Sequence, residues 1–216
     1  MILNNLKKRI FTSFILLFLV LLIYNFDYFL VYCLIILGTL SIIEFLNMST
    51  KIFTKKKNLY LINFIFISYI FIFCNTYFIL SNFVGLKILL YIFLSGCVAS
   101  DIGGFIFGKI FKGPKLTKIS PNKTYSGSIG SLILTSIIIS FFFFKIVGIF
   151  NYKIIIMSLV VSIFCQLGDL LFSILKRKAK LKDTGNFLPG HGGILDRLDG
   201  VFFGIPAGYL FLILLN

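Results

Sequence analysis

The sequence predicts an all-α bundle of membrane-spanning helices, about seven in number, with the N-terminus in the cytoplasm. Three observations predict it. Of the 216 residues 59% are hydrophobic and the mean hydropathy is +1.04, well outside the range of a water-soluble domain. Apolar runs recur near the length, roughly 20 residues, that a helix needs to cross the hydrocarbon core. The basic residues gather in every second gap between these runs, as the positive-inside rule requires. A net charge of +14 would suggest nucleic acid in a soluble chain. Confined to short clusters between apolar runs it reads as topology, so the expected partner is the lipid bilayer and no nucleic acid is expected.

The runs fall at about Ile10 to Tyr24, Tyr28 to Leu46, Leu59 to Cys74, Leu86 to Phe107, Gly127 to Ile149, Ile154 to Leu175 and Leu198 to Leu215. The fourth sits in a longer stretch from Tyr77 that Asn82, Gly85 and Lys87 interrupt. Lys7 to Arg9 precede the first run, Lys51 to Lys57 follow the second, Lys109 to Lys123 the fourth, and Lys176 to Arg197 the sixth. Of the 21 basic residues only Lys87, Lys145 and Lys153 fall elsewhere. The N-terminus and these loops are therefore expected in the cytoplasm and Asn216 on the far side. The basic N-terminal region and its apolar run resemble a signal peptide, but no small-residue cleavage site precedes Asp27, and the run is read as a retained helix. Cys33, Cys74, Cys97 and Cys165 lie in apolar segments without zinc or disulfide spacing and are expected to pack.

Asp101, Asp169, Asp183, Asp196 and Asp199, five of the seven acidic residues, lie in or beside the last two basic loops. A carboxylate inside a span costs a few kcal/mol, so Asp101 and Asp169 are expected to face a wet cavity. Gln166, Asp169, Ser173 and Lys176 follow at helical steps and share one face. Pairing of Asp169 with a nearby lysine, serving topology alone, is the simpler reading of that residue.

After this face, Lys180 to Asp199 hold Gly185, Gly190, Gly192, Gly193 and the chain's one histidine, His191. Glycines let backbone amides approach an anion, and phosphate is the ligand inferred. Asp196 and Asp199, three apart, can share a hard cation such as magnesium, with Arg197 as countercharge. His191 in its Gly-His-Gly-Gly turn suits phosphate contact or acid-base work. Asp101 to Ser128 repeat the chemistry: a membrane-depth carboxylate, glycines at 103, 104 and 108, and a Ser-Pro-Asn-Lys-Thr turn at Ser120 to Thr124, where Lys123 and Thr124 suit a phosphate chain. The spacing is not that of a P-loop.

The stretch Ser173 to Asp199, SILKRKAKLKDTGNFLPGHGGILDRLD, resembles the signature of the phosphatidate cytidylyltransferase, or CDP-diglyceride synthase, family. It keeps Ser173, Lys176, Arg177, Lys182, Asp183, Pro189, His191, Gly192, Gly193, Asp196, Arg197 and Asp199 in family spacing, just after Gln-Leu-Gly-Asp at Gln166 to Asp169. A second block matches at Asp101, Gly103, Gly108, Lys109, Ser120, Pro121, Lys123, Thr124 and Gly127. Ser126 stands where the family often has an acidic residue, and the N-terminal half is shorter than usual.

The resemblance implies one integral membrane domain over 1–216, with N-terminal helices over about 1–85 and a catalytic half over about 86–216. It implies the reaction of CTP with phosphatidate to give CDP-diacylglycerol and pyrophosphate, with magnesium required and a second cation left open. Asp169, Asp196 and Asp199 become the expected metal ligands and, with Lys176 and Arg177, the expected catalytic group. Asp101, Ser120, Lys123, Thr124, Ser173, Lys182, Asp183, His191, Gly192, Gly193 and Arg197 become the expected substrate-binding set. The expected location is the inner (plasma) membrane, multi-pass, with the site on the cytoplasmic side. Pairing as a homodimer stays open. The competing readings are a CTP-dependent lipid kinase of related architecture and, from another class, a membrane anion transporter.

Overall fold

A computed structural model of the chain describes residues 18–117, 120, 123–148, 150–187 and 192–215. Among these the regular elements are all helices: α1 (18–25), α2 (Asp27–Ile52), α3 (Lys56–Ser81), α4 (Val84–Phe111), α5 (Tyr125–Val147), α6 (Tyr152–Lys178) and α7 (Leu195–Leu215). The six from α2 onward are each long and apolar enough to cross a membrane, and the chain is an integral membrane protein. The start of the first expected span, 10–17, lies outside the described residues. The interrupted stretch resolves into two helices, with Asn82 and Phe83 between α3 and α4.

Each helix end has a local cause. Past α4, Lys112 and Gly113 take positive φ (52° and 94°) and Pro114 follows, which stops a helix. Gly148 ends α5 in the left-handed conformation, its amide donating to Phe144 O at 3.1 Å. At the end of α6, Lys180 takes φ 56°, its amide donating to Arg177 O and that of Leu181 to Lys176 O, which together make a Schellman cap. Within the spans, several hydroxyls return to their own helix: Ser49 Oγ donates to Leu46 O and Ser158 Oγ to Ile155 O, so that neither group meets hydrocarbon unpaired.

The chain divides into two compact units, and the divisions fall between α3 and α4 and inside α6 and α7. One holds the described residues up to Asn82 together with Leu175–Arg197. In it α2 packs on α3, with the rings of Phe45 and Phe66 stacked at 3.8 Å and Ser49 Oγ donating to Asn63 Oδ1. The other holds Phe83–Ile174 and Leu198–Asn216. In it α4 and α5 form the most intimate pair, through small residues on both helices. A Cβ on Gly103 would lie 2.5 Å from Gly130 O, and one on Gly104 2.9 Å from Ser131 Oγ. Ser131 Oγ donates to Ser100 O at 2.6 Å across the same seam. Small residues let helix backbones approach where lipid gives no hydrophobic drive to associate. The same unit seats α7 against α4 and α6, with Tyr209 edge-on to Phe93 and its hydroxyl donating to Leu86 O.

Gly103→Val is accordingly expected to destabilise the detergent-solubilised chain by about 2–3 kcal/mol, since the clash is with backbone that cannot yield. Gly85→Ala, with nothing within 4 Å of the new Cβ, is expected to be neutral. Thermal unfolding of the two variants side by side checks both.

Candidate active site

The second unit contains the loop that joins α4 to α5. Its two arms pair at Lys115 and Thr124, with the Leu116 amide donating to Lys123 O at 2.7 Å. Ser120 closes the turn: its amide donates to Thr117 Oγ1 and its carbonyl accepts from the Lys123 amide. Thr124 caps α5, Oγ1 accepting from the Gly127 amide at 3.1 Å and lying 3.0 Å from Ser126 Oγ. Ser126 Oγ donates in turn to Lys112 O, which ties the two ends of the loop together. That is the work of the serine at the position where the family often has an acid.

This loop delivers Lys123 to α6. Its solvent-shielded Nζ makes an ion pair with Asp169 Oδ2 that lacks the alignment of a hydrogen bond. Asp169 is thus paired with a lysine, as its simpler reading had it, and that lysine belongs to the second expected phosphate-binding block. One and two turns before Asp169 on α6, Gln166 and Ser162 continue the polar face, Gln166 bonded to Ser128 of α5 and to Ser162 Oγ. Asp101 is exposed on α4. Asp199, 7% exposed, accepts through Oδ1 from the Gly200 amide.

In the first unit, Lys176 and Asp196 meet. Nζ and Oδ1 are 2.6 Å apart, and the side chains are 15% and 8% exposed. Asp196 Oδ2 accepts from the amides of Thr184, at 2.8 Å, and Gly193, at 3.1 Å. The carboxylate thus folds the loop back over the start of its own helix. Gly192 meets this turn with φ 84°, a conformation that costs other residues about 1–2 kcal/mol, and a Cβ there would press on Asp196 Oδ2 and Asp183. Arg177, Lys182, Asp183 and Arg197 are exposed around the loop, and Ser173 is half-buried on α6. His191 lies outside the described residues.

Two features escaped the sequence reading. Gly103, Gly104 and Gly108 pack α4 on α5 or against Thr124. The four-residue spacing of Ser100, Gly104 and Gly108 was the available signal. The other is Glu44 of α2, whose carboxylate is 1% exposed and accepts from three donors of the 184–195 segment. A lone carboxylate inside an apolar run was the signal.

Among the described residues no three His, Cys, Asp or Glu side chains assemble as a metal cage. Magnesium takes one or two carboxylates and completes its shell with water and substrate phosphate, so the donor chemistry fits without one. Oδ2 of Asp196 is filled by two amides, whereas Oδ1 carries one bond and keeps a second lone pair.

Thr124→Val is expected to lose the α5 cap, about 1 kcal/mol, and Thr124→Ser to keep it. Amide exchange over the first turn of α5 reads the difference.

A sequence model of the cytidylyltransferase family matches residues 11–215. The chain is 42% identical over 139 residues to a protein of Staphylococcus haemolyticus named phosphatidate cytidylyltransferase, covering 63% of this chain and 53% of that one. It is 44% identical over 108 residues to one of the same name from Helicobacter pylori (50% and 40%), and 42% over 121 residues to one from Mycobacterium leprae (55% and 38%). The chain spans about half the length, or less, of these relatives. The family match takes in both ion pairs and every residue of the two polar loops, and the chain belongs to the cytidylyltransferase family.

Proposed function

We propose that the chain transfers the cytidylyl group of CTP to phosphatidate, forming CDP-diacylglycerol and releasing pyrophosphate. The observation that carries the reading is the family match over residues 11–215, together with relatives that bear the name of this activity. A phosphate oxygen of phosphatidate attacks the α-phosphorus of CTP in line, and the bond from that phosphorus to the pyrophosphate oxygen breaks. The attacking phosphate monoester is already largely ionised near neutral pH, so the protein has little proton transfer to perform. Positioning and charge stabilisation are what remain for it to supply.

Lys123, Lys176, Arg177 and Arg197 hold phosphate oxygens in this reading, with the hydroxyls of Ser120 and Ser173 and the Gly192 turn as neutral donors. Thr124, its hydroxyl given to the cap, acts by setting the direction of α5 and of Lys123. Lys182, Asp183 and His191 serve substrate binding in this reading. Of Asp169, Asp196 and Asp199, one or two would hold magnesium, which would supply charge to offset that developing on the phosphates. Clusters of lysine at the same ends of alternate spans support a cytoplasmic site, where a soluble nucleotide reaches a lipid headgroup and anionic lipid is drawn in.

The test is product formation by the purified chain in detergent from CTP and phosphatidate. Pyrophosphate release and CDP-diacylglycerol should appear together with magnesium and vanish with chelator. Consumption of CTP without CDP-lipid would refute the reading.

A further inference from the structure

Glu44 is a carboxylate in an apolar span with 1% of its surface exposed, a placement that costs several kcal/mol unless donors meet it. Three do. Thr184 Oγ1 donates to Oε2 at 2.7 Å, the Leu195 amide to Oε2 at 2.9 Å, and the Ile194 amide to Oε1 at 2.9 Å. The last two are amides at the start of α7, which helical bonding leaves unpaired and which attract anions. An internal carboxylate already occupies them.

The same short segment serves Asp196. Thr184 gives its hydroxyl to Glu44 and its amide to Asp196, and the consecutive amides 193, 194 and 195 go to Asp196, Glu44 and Glu44. Glu44 thus holds from behind the backbone that cradles Asp196 and, through it, Lys176. The glycines agree. A Cβ on Gly193 would strike Thr184 Oγ1 and lie 2.5 Å from Glu44 Oε2, and one on Gly185 would strike Glu44 Oε1. Glu44 leaves no room for a Cβ at Gly185, and Thr184 with Glu44 leaves none at Gly193, whatever ligand the outer face of the loop binds.

We propose that Glu44 is a positioning residue for the cytidylyl-transfer site, acting through Thr184, Ile194 and Leu195 on the Asp196–Lys176 pair. This rests on the proposed function for its effect on rate but not for its effect on the loop. Glu44→Gln keeps the volume and turns an acceptor into an NH2 that faces an N–H or a hydroxyl. Outer-shell losses of this kind commonly cost about 10–100-fold, and the group touches no substrate. In the whole chain 1–216 in detergent, kcat should fall about tenfold or more while KM for CTP stays within about threefold. Amide exchange at Ile194 and Leu195 should accelerate about tenfold or more.

Unchanged exchange at these two amides would overturn the anchoring. Accelerated exchange with unchanged kcat would overturn the positioning. If Glu44→Gln does not accumulate, Thr184→Val and Thr184→Ser carry the test: the valine variant should lose several-fold in kcat and the serine variant recover most of it, and equal rates would refute the proposal. Should the wild type transfer no cytidylyl group, the proposed reaction fails, and the exchange arm still decides whether Glu44 holds the loop.

Discussion

Asp196→Asn is expected to lower CDP-diacylglycerol formation by about a hundredfold or more and to destabilise the chain by about 3 kcal/mol. The side chain is 8% exposed and has three donors aimed at it: the Lys176 ammonium on Oδ1, and the Thr184 and Gly193 amides on Oδ2. Asparagine satisfies one side only. With its oxygen toward the amides its NH2 faces Lys176, and with its oxygen toward Lys176 its NH2 faces two N–H groups. Either way a lysine only 15% exposed loses its counter-charge. Adding Lys176→Met removes that stranded charge, so the double variant should regain most of the stability, because replacing a buried pair as a whole is often near neutral. Its rate should stay low, since the groups to which the proposed function gives substrate phosphate and cation are both gone. Thermal unfolding and turnover of wild type, Asp196→Asn and the double variant separate the two effects. Recovery of rate along with stability would show that the pair is scaffold alone.

Asp169→Asn is the second large effect, with the opposite balance. The Lys123 and Asp169 side chains are 23% and 36% exposed, so the pair contributes about 1 kcal/mol or less to stability. In the proposed function Asp169 holds cation and Lys123 grips phosphate, and the rate is expected to fall about a hundredfold with hardly any change in unfolding temperature. A rate within threefold of wild type would return the pair to a topological role. Altered ion flux without nucleotide chemistry would instead point to transport.

Most of the fold was legible because its signals are local. Apolar run length marked the helices, and the structure extends α2, α3, α4 and α6 at both ends, α6 from Tyr152 to Lys178 where the apolar run is Ile154 to Leu175, because lysines and tyrosines at span ends are still helical while their polar tips reach water. Asn82 was legible as an interruption but not as a loop of only two residues. The pair Lys123–Asp169 was half legible: the polar face of α6 could be read from spacing, whereas its partner depended on how the α4–α5 loop folds. Glycine was the residue whose packing role was least legible. The Gly-rich character of both loops suggested phosphate, yet Gly104 and Gly108 serve helix packing and Gly185 and Gly193 make room for Glu44. Glu44 lies 140 residues from Thr184, and no periodicity or spacing connects two such positions.

The most direct measurement of the central claim follows the fate of two labels. The purified chain is incubated with phosphatidate, magnesium and CTP radiolabelled either at the α- or at the γ-phosphorus, and the lipid fraction is counted. The account requires the α label to enter lipid as CDP-diacylglycerol and the γ label to leave as pyrophosphate. Gamma label in the lipid, with CDP released to water, would contradict it and make the chain a lipid kinase.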